Sequence, residues 1–521
     1  MDCTVVVIGG AFSGASFALL LRRWCPAASV LVIERSAEST RKVGEATVEV
    51  SAFFLHRVLG CYDLLSREHL PKHGLRYWHT DGEDERTLDD MSETGPAEVP
   101  RLPSFQLDRS RLDPALLARA QQEGTRVARP ARVDAVEHGW PRSTVRWTDA
   151  AGARHATTCR WVIDASGKHA FLARRLRLQT REERHPVAAV WGRWTGVADL
   201  DGPEILGPDL AYPLLPEIAA ARRLGTNQFC GDGWWCWVIP LAGGETSIGV
   251  VYDKTRYELP GTERDRFVRY ERFLRTQPGL RELVADAALD PGDRMAYGHV
   301  SYRTSQYIDR GWALLGDAAS FIDPYYSPGL DHASITIYAT ARLVADDLLC
   351  ALDDDVLAAR VAQHDARFLR SYERWFDGLY RGKYEILGDA ELTACAFVFD
   401  TAMYYLGVVT PIYRDVESLA HPPFGLELPQ ATVAYRTMRF FNRRMQRIAA
   451  VRRRYGVYGR RNVGRRQLDG TPGLGREAVG MLRRGLRLWL GLELHALGLR
   501  LGFGRGAAQP SGPQQAAAAP S

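Results

Sequence analysis

Cysteine is scarce. There are eight in 521 residues and none stands in a Cys-x-x-Cys pair. Such scatter excludes a disulfide framework and a cysteine-based zinc site, and it suits a reducing compartment, the cytosol. No run of eighteen residues is both apolar and free of charge, so no membrane-spanning helix is expected. The start, Met1-Asp2-Cys3-Thr4, lacks a basic stretch and a cleavage signature, so no signal peptide is expected. Internal repeats are absent. Lysine is missing between Arg436 and Gly506, where eighteen arginines face only Asp469, Glu477 and Glu493. That segment carries +15 in a chain of net charge +5, leaving the rest at about −10. What remains is ordinary for a globular protein, 46% hydrophobic and 25% charged, and long enough for two or three domains.

The N-terminal pattern is more specific. Thr4 to Ile8 is a β-branched apolar run ending in Gly9-Gly10, Ala15 to Trp24 has helical spacing, and Ser29 to Ile33 is a second strand-like run. Strand, glycine turn, helix, strand is how a dinucleotide-binding domain opens. Helices are expected over Ser51 to Leu65 and over Asp113 to Glu123, the latter with Pro114 near its first turn. The expected architecture is α/β. A Rossmann-type FAD-binding domain occupies residues 1–185 and 300–345, with a mostly β substrate domain inserted at 186–299. A helical region (346–435), a basic C-terminal region (436–506) and a disordered tail (507–521) follow.

Gly9-Gly10-Ala11-Phe12-Ser13-Gly14 fits Gly-x-Gly-x-x-Gly with Ala11 at the middle glycine. The turn aims backbone N–H groups and a helix N-terminus at a pyrophosphate. Alone it is equally compatible with a plain strand–turn–helix. Glu34, twenty residues after Gly14, stands where an acid accepts hydrogen bonds from ribose hydroxyls. Far downstream, Trp312 to Leu315 runs into Gly316-Asp317-Ala318, a strand end that offers a carboxylate to a polyol. With Asp164-Ala165-Ser166-Gly167, these elements resemble the FAD-binding motifs of the aromatic hydroxylase superfamily, and FAD is the expected cofactor.

Three further motifs resemble the flavin-dependent halogenases, often described as tryptophan-halogenase-like. Gly233-Trp234-Trp235-Cys236-Trp237-Val238-Ile239-Pro240 contains Trp-x-Trp-x-Ile-Pro, and Phe321 to Gly329 fits Phe-x-x-Pro-x-x-Ser-x-Gly through Pro324 and Ser327. Val43-Gly44-Glu45-Ala46 looks like the flavin strap, with Lys72 following. The resemblance covers about residues 4–420. It implies cofactor contacts at Gly9, Ala11, Gly14, Glu34, Gly44, Glu45, Arg109, Asp164, Gly316, Asp317, Pro324 and Gly329. It also implies that reduced flavin, oxygen and halide give hypohalous acid, and that Lys72 presents the electrophilic halogen to an electron-rich aromatic of phenol or pyrrole type. A separate flavin reductase is implied, since no second glycine-rich motif is evident.

The chain departs from the family at the halide. Backbone N–H groups of the residue before the glycine and of the glycine itself hold it, and here the first is Pro328, which has none. Gly329 and Leu330 are left as candidate donors, and an inward Asp331 would oppose an anion. Tyr326 replaces the glutamate of tryptophan-specific members. An FAD-dependent monooxygenase or dehydrogenase on the same scaffold therefore stays open, as does a non-catalytic flavoprotein. His69, His73 and His79 around Lys72 are expected to be solvated loop residues. The basic segment is expected to form a solvated face, a membrane-surface helix or a docking site for an acidic carrier protein, with no nucleic-acid role. The location expected is cytoplasmic, with peripheral membrane association open.

Overall fold

The computed structural model describes residues 2–202, 205, 219–426, 429–469 and 473–502. The expected tail at 507–521 lies outside them. Four all-buried valine and isoleucine positions make Val5–Ile8 the centre of a six-stranded sheet. Parallel partners are Val30–Ile33 on one side and Trp161–Asp164 on the other. Arg126–Ala128 and Trp312–Leu314 extend it, and Ile308–Asp309 adds an antiparallel edge. Such a sheet is buried on both faces, which is why its strands read as unbroken apolar runs. Helix Phe12–Trp24 packs between Arg109–Gln122 and the 22-residue helix Gly329–Cys350. This is a Rossmann-type FAD-binding fold.

A second sheet has eight strands, in the order Ala288–Tyr297, Val187–Thr195, Thr246–Asp253, Trp234–Pro240, Thr226–Gly231, Leu75–His79, Ser92–Pro96 and Arg466–Asp469. Five come from the stretch expected to be β-rich. The other three come from the N-terminal and C-terminal parts, pairing partly in parallel. Of the three histidines only His79 lies in strand Leu75–His79; His69 and His73 accept from the Asp108 and Ala221 N–H groups. All three are buried rather than solvated, and burial pulls His69 and His79 down to about 4.

Two helices differ from the sequence reading. Ser51 to Leu65 is not continuous: Glu49–Phe53 passes into a π-turn at Phe54–Val58, and Gly60 at φ +67° breaks the chain before Tyr62–Glu68. The second helix starts at Arg109, because Asp108 caps it by accepting from the Ser110 N–H at 2.8 Å. Pro114 thus falls inside the helix.

Helix Ala390–Arg414 is long and apolar enough to cross a membrane, with mean hydropathy 1.5, but 72% of it is buried inside the protein. The sequence reading missed it because its few polar residues interrupt the run without lowering its mean. The basic segment is not a free solvated face either. Arg452 is buried against Asp389 and Glu391, Arg444 pairs with Glu493, and Arg453 with Asp232. Acids of the body thus pair with some of the segment's arginines within one fold.

Candidate functional site

Two cavities meet where the two sheets face each other. The larger, about 1410 Å³, opens over the C-terminal ends of the central strands. Its floor is backbone. A Cβ on Gly14 would sit 1.9 Å from the Gly9 carbonyl oxygen, and one on Gly9 2.6 Å from that of Ala165. Only glycine allows this approach. Ala11 is the residue before the first helical turn, in extended conformation, so its methyl is accommodated there. Glu34 ends its strand by accepting from the N–H groups of Gly10 (2.7 Å) and Ser36 (2.8 Å) while lining the cleft.

The opposite walls carry Gly44, Glu45, Arg109, Asp317, Pro324, Gly329 and Leu330. Arg109 is fixed by Asp113 at 2.8 and 3.0 Å. Glu45 forms a buried ion pair with Arg193, and burial raises its pKa to about 7. Three expected contacts stand behind the wall: Gly14, which packs under the Gly9 carbonyl, Asp164 and Gly316. The Asp164 carboxylate accepts from the Ser166 and Leu172 N–H groups, which fixes the turn rather than facing the cleft. Gly316 donates to Thr336 Oγ1 at 2.9 Å and brings the strand end against the long helix.

The sequence reading did not single out Lys168. It lines this cleft with Nζ 4.2 and 4.5 Å from the ring centres of Tyr297 and Phe321. Burial pulls its pKa down to about 8, against the pull of Asp317. A usable signal existed: only five of the 67 basic residues are lysine, at 42, 72, 168, 254 and 383. Lys42 and Lys168 line this cleft and Lys72 lines the next cavity.

These features fit FAD. A glycine-walled turn and helix start receive a pyrophosphate, and Glu34 and Asp317 offer carboxylates to sugar and polyol hydroxyls. The volume holds a dinucleotide. Trp235 and Trp237 close one side, fixed by hydrogen bonds to Tyr384 Oη (2.9 Å) and Ser247 Oγ (3.1 Å). Trp234 alternates to the other face and packs on Phe273 at 4.9 Å.

The second cavity, about 250 Å³, is largely apolar and holds a few buried polar groups. Lys72 lines it, 3% exposed, with Nζ donating to the Thr47 carbonyl at 2.8 Å. Burial lowers its pKa to about 8, opposed by Glu49 and Asp331. Asp331 accepts from the Ser51 N–H (2.8 Å) and the Tyr404 hydroxyl (2.6 Å), and burial raises it to about 7. Glu49 accepts from the Tyr405 hydroxyl at 2.6 Å. Asp331 therefore faces this cavity and does not line the cleft.

Phe321 and Gly329 line both spaces. Between them the chain turns through Tyr326 (φ 72°) and Ser327 (φ 59°), left-handed at two non-glycine residues. The Tyr326 hydroxyl donates to Asp400 at 3.0 Å, and the Ser327 N–H to the Pro324 carbonyl at 2.9 Å. Pro328 precedes the first turn of the long helix.

Fold and cleft define an FAD-dependent oxidoreductase. The FAD binding domain family matches residues 2–205. Flavin-dependent halogenase chlA of Dictyostelium discoideum is 24% identical over 440 residues, 78% of this chain and 70% of that protein. Flavin-dependent halogenase armH3 of Armillaria mellea is 26% identical, over 64% of this chain and 66% of that one. The alignments thus span about two thirds of these relatives' length. Halogenase PltM, solved with phloroglucinol and FAD, superposes with a TM-score of 0.73 at 17% identity, covering 96% of this chain and 98% of that one. The chain is thus similar to flavin-dependent halogenases over most of its length.

Proposed function

We propose that the protein halogenates a small electron-rich aromatic of phenol or pyrrole type, with FAD reduced by a separate reductase. The observation that carries this reading is the pair of cavities, with Lys72 buried in one, the cofactor motifs lining the other, and Phe321 and Gly329 between them. Bound and reduced, FAD would give two electrons to oxygen, and oxygen so brought to the peroxide level would be the oxidant that turns halide into hypohalous acid. Gly9, Ala11, Glu34, Gly44, Glu45, Arg109, Asp317 and Pro324 would hold the cofactor, with Gly14 shaping the turn beneath it. The N–H groups of Gly329 and Leu330, at the start of a helix, would hold halide. Lys72 in its ammonium form would hydrogen-bond the hypohalous oxygen and aim the halogen at the ring. As the ring carbon is halogenated the oxygen takes a proton from the Lys72 ammonium and leaves as water, and the displaced ring proton passes to Asp331 or Glu49 in carboxylate form and returns to Lys72.

Phloroglucinol, the molecule bound to PltM, is a fitting first substrate in size and electron richness. A carrier-tethered substrate, as in the related pyrrole-2-carbonyl carrier-protein chlorinase of Pseudomonas fluorescens, is less well supported. Many arginines of the basic segment are already paired within the fold.

The test is halogenated product, detected by mass spectrometry, from the FAD-loaded enzyme with a reductase, bromide or chloride and phloroglucinol. Lys72→Ala should abolish that product while leaving flavin binding and flavin oxidation intact. Halogenated product from the variant removes Lys72 from the mechanism. Pro328 favours one competing reading, a monooxygenase. In that case the wild-type enzyme yields hydroxylated product at every halide concentration.

A further inference from the structure

The last described helix, Arg476–Leu501, presents two apolar faces. One is covered. Ala478, Leu492, Ala496 and Leu499 are buried, and Gly485 lies so close to Phe399 that a Cβ would come within 2.9 Å of its ring. The other is bare. Val479, Leu486, Leu490, Leu494, Leu497 and Leu501 are between 42% and 68% exposed. Their spacing of three, four or seven residues sets them in one stripe. Phe440 of the neighbouring helix Pro429–Arg454, 50% exposed and 6.1 Å from the Trp489 ring, widens it. A contiguous aliphatic surface of this kind marks an interaction site.

Charge decides what covers it. Arg483 and Arg487 stand exposed at its margin with no acid partner among the described residues. Both acids of the helix are engaged elsewhere, Glu477 with Arg101 and Glu493 with Arg444. A second copy of the chain would set arginine beside leucine with no free helix acid to meet it. A bilayer of anionic lipid supplies both halves, acyl chains for the leucines and phosphates for the arginines.

We infer that this helix docks the enzyme on an anionic membrane surface. Met481 and Arg484 of the same helix line the cavity that holds Lys72. These two residues lie on the side of the helix turned away from the stripe, so the cavity stands behind the docked helix, and the docking does not depend on how that cavity is read.

The experiment is flotation of the full-length FAD-loaded protein with vesicles of phosphatidylcholine plus phosphatidylglycerol, and with phosphatidylcholine alone. The protein should float with the mixed vesicles and stay behind with the neutral ones. The double variant Leu490→Glu, Leu494→Glu should lose at least about tenfold in vesicle affinity. Arg483→Gln with Arg487→Gln should lose less and become insensitive to lipid charge. Bound FAD, read by its absorbance, should be unchanged in both variants, showing that the fold persists. Wild-type protein left in solution with both vesicle types overturns the proposal. So does light scattering that shows a dimer broken by the leucine variant, or an acidic carrier protein that binds through these residues when vesicles do not.

Discussion

The two cavities are built by opposite means. The cofactor cleft is floored by main chain, and its shape depends on side chains that are missing, at Gly9 and Gly14. The aromatic cavity is walled by side chains, with Lys72, Glu49 and Asp331 brought from separate segments. A backbone floor tolerates almost no added volume and carries no titrating group of its own; the cleft's pH dependence comes from its walls, Glu45 and Lys168. A side-chain site tolerates reshaping, while its buried titratable groups tie it to pH.

The largest effect should follow from adding volume behind the turn that floors the cleft. Gly14→Val puts atoms inside the 1.9 Å approach to the Gly9 oxygen, which the turn cannot relieve without moving a central strand. Overpacking of this kind costs about 1–3 kcal/mol, and FAD retention through gel filtration should be lost. A variant that keeps its flavin would show that the cleft is not held by backbone approach.

Supplying the missing donor should come next. Pro328→Ala restores an N–H at the residue before Gly329 and leaves the cleft's lining unchanged, trimming only one side chain of the Lys72 cavity. A charge-assisted hydrogen bond contributes about 1.5–3 kcal/mol, so halide half-saturation should fall by about tenfold or more. The readout is the halide dependence of product formation. An unchanged value would place halide away from the helix start.

The same contrast explains what the sequence revealed. The turns at Gly9 to Gly14 and at Gly316 are legible because backbone geometry permits few residues there. The role of Asp164 misled because motif position says nothing of where a carboxylate points; it turns to the Ser166 and Leu172 N–H groups. His79 misled because Leu75–His79 gains its place only by pairing with Thr226–Gly231, about 150 residues on. Lys168 escaped a motif-based reading, though the rarity of lysine in an arginine-rich chain marked it.

Asp331 gives the pH side of the contrast. Burial raises its pKa from 3.8 to about 7 in the folded state. Between those values the unfolded chain has lost a proton that the folded chain keeps. Stability therefore falls as pH rises through that window, by at most about 1.4 kcal/mol per pH unit. Asp331→Asn removes the titration and should flatten urea midpoints measured across it, with the variant overtaking wild type at the upper end. For Lys72, lowered to about 8, the ammonium role predicts activity declining above that pH. A rise there would instead assign the work to the neutral amine.

The smallest effect tests the wall between the cavities. Trp235 lines the cleft, yet its indole N–H donates to Tyr384. Tyr384 in turn donates to Asp323 at 2.9 Å, and Asp323 lines the aromatic cavity. Trp235→Phe keeps an aromatic ring and removes one buried donor, while Tyr384 keeps its bond to Asp323. The expected loss is about 1 kcal/mol in unfolding free energy by urea titration. If the wall belongs to the side-chain-built cavity, flavin affinity should stay within a factor of about two or three, since a few tenths of a kcal/mol is all that relaxation of one ring transmits. A tenfold fall in flavin affinity would join Trp235 to the cleft instead. The cofactor site would then depend on packed side chains as well as on its glycines.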